Sequence, residues 1–436
     1  MSYRVSFLPK KKKFHWNVQV GESINYIFDR IVVFEQILYN SPVGLSGLNY
    51  ELDQFKARVD VRVICAPDDS LKVSQRRILD ILDKIPVHNA AHGFVRGRDA
   101  LSCSGAHTAY WGRNAQLVLL NLDLKNFFHS VSGPFVKKAL KAHKITEENC
   151  RQILDTCTIK ADTTLCIEIL RGLNSLHNRY ERVNADSKLG KIFEKVIKLM
   201  EESKHPSCKE ISFMICKKIL GLGPAINQKT AFLPQGSPAS PFLSNLSMKL
   251  IDIRFNALAR SMGAFYTRYA DDLTFSWRTP TKKKRINSVL NLIKVILKEN
   301  DLEVHPLKQR IVGAGNKQDI VGYCINSGRP TVSRKYRRNV RSALFNESRQ
   351  RRLEDNKNGV KFYEKTDPDH SRKRFDYLGG IISHIRTTHP EQAIILRKQL
   401  EHIKEGPVRT INVEKITTEV AITIPDDNFS MIIPVE

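Results

Sequence analysis

Apolar positions along this chain follow two periods, and the switches between them mark out the elements. Arg58 to Cys65 alternates and ends at Pro67-Asp-Asp-Ser70, the pattern of a strand running into a turn. A basic helix is predicted next, over Leu71–Asp83. Gln116 to Leu122 is a continuous apolar run and predicts a buried strand that delivers Asp123. Phe265-Tyr-Thr-Arg-Tyr269 and Leu273-Thr-Phe-Ser-Trp277 flank Ala270-Asp271-Asp272, which predicts a hairpin with two carboxylates at its tip. Three- and four-residue spacing predicts helices over 21–39, around Leu189–Met200 and over 286–299, within a chain whose stretch 132–231 reads as mostly helical. Ile320 to Ile325 is strand-like, a strongly basic helix begins near Ser333, and 375–403 is helical again. Between those helices 353–373 is polar and charged, the composition of a linker or exposed loop. The tail from Val413 alternates and turns at Pro425-Asp-Asp-Asn428, predicting a terminal hairpin.

Composition changes this picture in one respect. With 41% hydrophobic and 26% charged residues in 436, the chain is ordinary for a globular protein with a large core. Its net charge of +25, from 70 Lys and Arg against 45 Asp and Glu, is not ordinary and implies a polyanionic partner. No basic amphipathic anchor favours a membrane surface over nucleic acid, and no apolar run approaches the roughly 18 residues that span a bilayer. The eight cysteines include no Cys-x-x-Cys pair, so they read as small buried residues of a reducing compartment. Together with the lack of a signal-peptide segment at the start, this places the expectation in the cytoplasm.

Candidate chemistry gathers at the acids. Adjacent carboxylates at a tight turn repel unless a cation sits there, and Mg²⁺ prefers oxygen ligands. Two such ions about 3.5–4 Å apart activate an attacking oxygen while steadying a leaving one. Asp123 can join Asp271 and Asp272 if their strands are neighbours, and three carboxylates on a basic protein suit phosphoryl transfer at a nucleic-acid end. Phe127 and Phe128 follow Asp123, with core packing as the plainer role for each. His92-Gly-Phe-Val-Arg-Gly-Arg98 is a glycine-punctuated basic loop whose Arg96 and Arg98 suit phosphate. Leu233-Pro-Gln-Gly-Ser-Pro-Ala-Ser-Pro241 is a rigid turn with exposed backbone, suited to lying against a base pair and sugar.

The apolar strand ending in Asp123 and Phe127-Phe128, then Leu-Pro-Gln-Gly-Ser-Pro-Ala-Ser, then Tyr-Ala-Asp-Asp, in that order, resembles the palm of reverse transcriptases. The likeness is nearer to the prokaryotic retron and defence-associated enzymes and covers roughly residues 55–403. It implies an α+β right-hand polymerase with fingers, a palm of antiparallel sheet plus helices, and a helical thumb. The expected divisions are 1–54 N-terminal extension, 55–122 fingers, 123–325 palm with a helical insertion at 133–230, 326–404 thumb and 405–436 tail.

Carried over residue by residue, the resemblance assigns Asp123, Leu124, Asp271 and Asp272 to two Mg²⁺ ions, with Mn²⁺ as a substitute. Phe128 would sit under the ribose and exclude a 2′-hydroxyl; Gln235 and Gly236 would contact the incoming nucleotide, and Arg62 and Lys72 its triphosphate. Lys308 would stand near the pyrophosphate, 320–325 would be the primer grip, Arg334, Lys335, Arg337, Arg338 and Arg341 would open a nucleic-acid-binding thumb, and Arg96 and Arg98 would bind nucleic acid from the fingers motif. Two motifs depart from the retron pattern: Cys103-Ser-Gly-Ala-His107 keeps only the histidine, and Ile320-Val321-Gly322 replaces Val-Thr-Gly. The expected function is therefore RNA-templated DNA synthesis with a noncoding RNA in phage defence, from deoxynucleoside triphosphates and without a membrane, in a homo-oligomer or beside an effector protein. The alternatives are template-independent or protein-primed synthesis, and a retron enzyme making RNA-linked single-stranded DNA.

Overall fold

The computed structural model describes residues 3–9, 61–112, 115–180, 197–198, 200–202, 206–279, 281–358 and 368–405. Lys10–Lys13, the helix expected over 21–39 and the hairpin expected from Val413 lie outside them. So does most of the helix expected around 189–200, of which Ile197 and Met200 are described and buried. The chain divides into two compact units, Met1–Pro330 and Thr331–Glu436.

In the first unit the strands are β1 (Tyr3–Pro9), β2 (Val61–Pro67), β3 (Leu117–Asp123), β4 (Phe265–Tyr269), β5 (Asp272–Arg278), β6 (Arg310–Val312), β7 (Asp319–Ile320) and β8 (Tyr323–Cys324). β1 pairs antiparallel with β2, so residues 3–9 of the chain join a strand that lies at 61–67. A four-stranded antiparallel sheet runs in the order β4-β5-β3-β6, and β7-β8 is a small separate hairpin.

Alternation along these strands sorts their side chains between two faces. Leu120 and Leu122 of β3, Tyr266 of β4 and Leu273, Phe275 and Trp277 of β5 enter the main core. There they meet the apolar faces of the helices Ser240–Ser261 and Lys283–Lys298, the latter a stripe of Ile286, Val289, Leu290, Ile293 and Leu297. Opposite them, Leu117 and Leu119 pack with Cys103, Ile320 and Ile325 in a smaller cluster. Continuing on that second face, β3 presents Asn121 and Asp123 where the cover ends. One strand thus carries both the core and the acid.

The helix Ala100–Trp111, which apolar spacing does not reveal, covers the second face. It starts at Asp99, whose carboxylate accepts from Ser102 N while Ser102 Oγ accepts from Asp99 N. Its His107, fully buried, reaches Ser276 Oγ at 2.7 Å and Thr267 Oγ1 at 2.8 Å across the sheet. Between residues 133 and 230 the described helices are Gly133–Ala142, Glu147–Cys157, Thr163–Tyr180 and Pro206–Leu220.

The second unit consists, among the described residues, of helices Arg334–Asn358, Pro368–Arg386 and Pro390–Glu405. Two expectations need correction here. The polar stretch 353–373 is helical up to Asn358 and again from Pro368, and the helix expected over 375–403 breaks at 387–389. Pro390 accounts for the break, because its ring suits a first helical turn but not a helix interior. Thr388 Oγ1 then accepts from Val332 N at 3.1 Å and fixes the corner. Seven cysteines are buried, Cys324 is partly so, and all eight are free thiols. No helix among the described residues is long and apolar enough to cross a membrane.

Candidate active site

Antiparallel pairing of β3 with β5 puts Asp123 directly opposite Asp272. Asp272 in turn pairs with Tyr269 across the β4-β5 turn. The turn itself is Ala270-Asp271, with Ala270 in the left-handed region at φ 55°, so Asp272 opens β5 and only Asp271 lies on the tip. Asp271 is tied to β3 as well, since its carbonyl accepts from Leu124 N at 2.9 Å. Positions far apart in sequence therefore converge through sheet register alone.

The site carries an electrostatic conflict. Asp272 reaches the surface, yet surrounding atoms strip part of its hydration, and the charges of Asp271 and Asp123 add to the penalty. Its carboxyl is pushed from 3.8 up to about 7, with Lys308 the opposing influence. Lys308, from the short 3₁₀ turn Pro306–Lys308, donates to Asp123 Oδ2 at 2.6 Å. An open cleft of about 250 Å³ lies here, lined by Asn121, Asp123, Asp272, Thr274, Lys308 and Arg310 among others.

These donors fit a hard divalent cation by chemistry: carboxylate oxygens crowded together, one of them hard to ionise without a positive neighbour. They do not form a finished cage, for no three His, Cys, Asp or Glu side chains among the described residues are gathered around one point. Mg²⁺ is commonly held in that way, by one or two carboxylates with substrate phosphates and water completing the octahedron.

Around this centre the other expected residues fall into three groups. Gln235 and Gly236 lie against the fingers strand: Gln235 O accepts from Cys65 N at 2.7 Å. Gly236 sits at φ +119°, where a Cβ would stand 2.7 Å from Ile64 Cγ2 and 2.9 Å from Cys65 O. Phe127 is buried in the core while Phe128 is half-buried, its ring centroid 6.1 Å from that of the exposed Phe94. The two phenylalanines thus differ in burial, Phe127 within the core and Phe128 at its edge. Lys72 is half-exposed on the helix Asp69–Leu82, and Arg62 lies on β2 with its side chain outside the described residues.

The basic residues separate in the same way. Arg96 is exposed. Arg98, expected at phosphate, instead donates to the carbonyls of His88, Asn89 and Ala91 at 3.3, 3.0 and 2.7 Å, and so braces its own loop. On the second unit Arg334, Lys335, Arg338 and Arg341 are exposed, but Arg337 is half-buried and donates to Gln392 Oε1 at 2.8 Å. Burial, with Arg341 and Arg334 beside it, lowers its pKa. Arg98 and Arg337 thus each spend at least one guanidinium N–H on a partner within the protein, which charge in a sequence does not reveal.

Asn121, Thr274 and Arg310 are cleft residues that the sequence reading passes over. Asn121 had an available signal, since a polar residue two positions before Asp123 in an apolar strand must share its face. Arg310 had none, as β6 is only three residues long.

Residues 176–382 match the family model described as Reverse transcriptase (RNA-dependent DNA polymerase). That span includes Gln235, Asp271 and Lys308, whereas Asp123 precedes it and owes its place to the sheet register. The retron Mx162 reverse transcriptase of Myxococcus xanthus is 29% identical over 71% of this chain and 56% of its own length. The retron Mx65 reverse transcriptase of the same organism is 28% identical over 76% of this chain and 60% of its own. The retron Ec86 reverse transcriptase of Escherichia coli is 31% identical over 26% of this chain and 34% of its own. The chain thus spans less than two thirds of the length of these curated relatives. Among solved structures, a telomerase from Candida albicans aligns over 84% of this chain and 63% of its own at 13% identity, with a TM-score of 0.34. The chain is thus similar to prokaryotic retron reverse transcriptases, with the family match confined to residues 176–382.

Proposed function

We propose that the chain is an RNA-directed DNA polymerase that works with an associated noncoding RNA in antiviral defence against phage, by two-metal-ion nucleotidyl transfer. The observation that carries this reading is the pairing of Asp123 with Asp272, with Asp271 bonded to the same strand and Lys308 on Asp123. Asp123, Asp271, Asp272 and the Leu124 backbone would hold two Mg²⁺ ions, or Mn²⁺ in their place. When bound, the ions supply Lewis acidity to the attacking primer hydroxyl and the leaving pyrophosphate.

The chain's own residues do the rest. Gln235 and Gly236 form a shelf beside β2 on which the incoming deoxynucleotide lies. Phe128 offers bulk to the sugar edge and excludes a 2′-hydroxyl. Lys308 is placed to leave Asp123 and follow the charge that develops on the pyrophosphate. Lys72, on the helix Asp69–Leu82, and Arg62, in β2, would contact the triphosphate. Arg96 with Arg334, Lys335, Arg338 and Arg341 supplies exposed cations for an RNA template and primer and the DNA product, in keeping with the net charge of +25. The defence setting, and a homo-oligomer or effector protein as partner, rest on the resemblance to defence-associated enzymes.

Primer extension by purified protein with its copurifying RNA, deoxynucleoside triphosphates and Mg²⁺ tests the reading. Asp271→Ala with Asp272→Ala should abolish product, and unchanged synthesis by that double variant refutes the metal assignment. The names of the relatives favour one second reading, a retron enzyme whose DNA stays linked to its RNA. In that case ribonuclease treatment shortens the product on a denaturing gel; otherwise it does not.

A further inference from the structure

Arg268 lies one residue before Tyr269 at the end of β4, with its side chain fully buried behind the turn that carries the acids. Its neighbour Tyr266 shares that face, and alternation points both at the helix Ser240–Ser261. Asp252 of that helix, also fully buried, accepts from Arg268 Nε at 2.8 Å and Nη2 at 2.7 Å and from the Tyr266 hydroxyl at 2.8 Å. Arg268 Nη1 then donates in two further directions, to Asn245 Oδ1 at 2.9 Å and to the Ala270 carbonyl at 3.1 Å. The guanidinium thus grips the backbone of a residue held at φ 55°, immediately before Asp271 and Asp272.

The same residue is bonded through its main chain to the glycine loop. Arg268 N donates to Ala90 O and His92 N donates to Arg268 O, both at 2.7 Å. Asn245 Nδ2 donates to Gly93 O at 2.8 Å, and a Cβ on Gly93 would stand 2.5 Å from Ala270 N. Loop and turn are therefore in backbone contact, and Arg268 with Asn245 bonds to both. A buried ion pair is weak reason for stability, since well-packed apolar groups often serve as well. A fork with fixed geometry, holding one carbonyl against several anchors, is something apolar packing does not supply.

We propose that Arg268 is a positioning residue: by holding the Ala270 carbonyl from beneath, and bonding to 90–93 at the same time, it sets where Asp271 and Asp272 stand relative to Asp123 and the glycine loop. This rests on the reading of the three acids as metal ligands.

Arg268→Lys tests it, because lysine keeps the charge opposite Asp252 and loses the second arm that reaches Ala270 and Asn245. In a variant whose melting temperature stays near that of the wild type, kcat for primer extension should fall on the order of 10²-fold, the loss a misplacement of about 1 Å brings. KM for the deoxynucleotide should hold within about twofold, as binding common to ground and transition states is untouched. Direct Mn²⁺ titration, followed by electron paramagnetic resonance without nucleotide, should show weaker binding. Wild-type kcat and Mn²⁺ affinity in the folded lysine variant overturn the proposal. If that variant does not fold, Arg268→Met with Asp252→Leu and Tyr266→Phe removes the guanidinium together with the Asp252 carboxylate and the Tyr266 hydroxyl, leaving Asn245 on Gly93: low kcat in that folded protein supports positioning, and full kcat overturns it. Wild-type protein without RNA-templated synthesis would count against the proposed function, whereas the Mn²⁺ titration still reads the turn.

Discussion

Lys308 Nζ lies 2.6 Å from Asp123 Oδ2, so a half-exposed lysine neutralises the carboxylate at the end of β3. That contact gives the lysine two opposed effects. Under the proposed function it competes with a metal ion for Asp123 in the absence of nucleotide, and during transfer it would be a cation within reach of leaving charge. Lys308→Met should therefore tighten Mn²⁺ binding to the protein alone, by up to about fivefold given the 0.2–1 kcal/mol typical of an exposed pair. The same variant should lose at least about tenfold in the rate of primer extension. Parallel metal titration and single-turnover assays read both, and a variant that loses rate and metal affinity together would contradict the competition.

A second prediction concerns pH. His107 is held neutral by complete burial, which drops its pKa from 6.5 to about 3, and burial lowers His92 to about 4. Below the unfolded value the unfolded chain binds protons that the folded one refuses, so stability present near pH 7 is lost as pH falls. Each histidine contributes up to about 1.4 kcal/mol per pH unit to that loss, His107 between about pH 6.5 and 3 and His92 between about 6.5 and 4. His107→Gln should flatten urea-unfolding stability against pH by its share over pH 6 to 5. Equal slopes for the two proteins would show that the buried ring is not responsible.

Much of the site was legible because it is built from register and from short motifs. Asp123 ends an apolar run, Asp271 and Asp272 sit between two others, and antiparallel pairing has few ways to join such strands. His107 shows the limit: it is visible as a lone histidine, but its bonds to Thr267 and Ser276 need two strands placed beside its helix. Arg268 is harder still. Within Phe265-Tyr-Thr-Arg-Tyr269 an arginine looks like a surface residue of a strand, and only Asp252, sixteen positions earlier on a helix, makes burial tolerable. The glycine loop is legible as a loop, while the inward turn of Arg98 depends on the positions of three carbonyls.

Gly236 supplies a third prediction. Its φ of +119° excludes ordinary side chains, and a Cβ would press on Ile64 and the Cys65 carbonyl. Gly236→Ala should destabilise by about 1–3 kcal/mol, read as a fall in melting temperature. Because the clash pushes the shelf away from β2, KM for the deoxynucleotide should rise as well. A stable variant with unchanged KM would remove Gly236 from the nucleotide shelf.

The last prediction separates the cations of the second unit. Arg334, Lys335, Arg338 and Arg341 are exposed along the helix Arg334–Asn358, free to meet phosphates and release counterions. Each phosphate contact on a single strand adds about 0.7 to the magnitude of the slope of log affinity against log salt. Replacing all four by glutamine should therefore flatten that slope for single-stranded RNA by up to about 3, with little change in melting temperature. Arg337 should behave otherwise. It is half-buried and donates to Gln392 on the helix Pro390–Glu405, so Arg337→Gln should lower the melting temperature and leave the salt slope near wild type. Filter binding from low to high salt, beside a thermal melt of each variant, distinguishes them. A flattened slope for Arg337→Gln alone would return that residue to the nucleic-acid face.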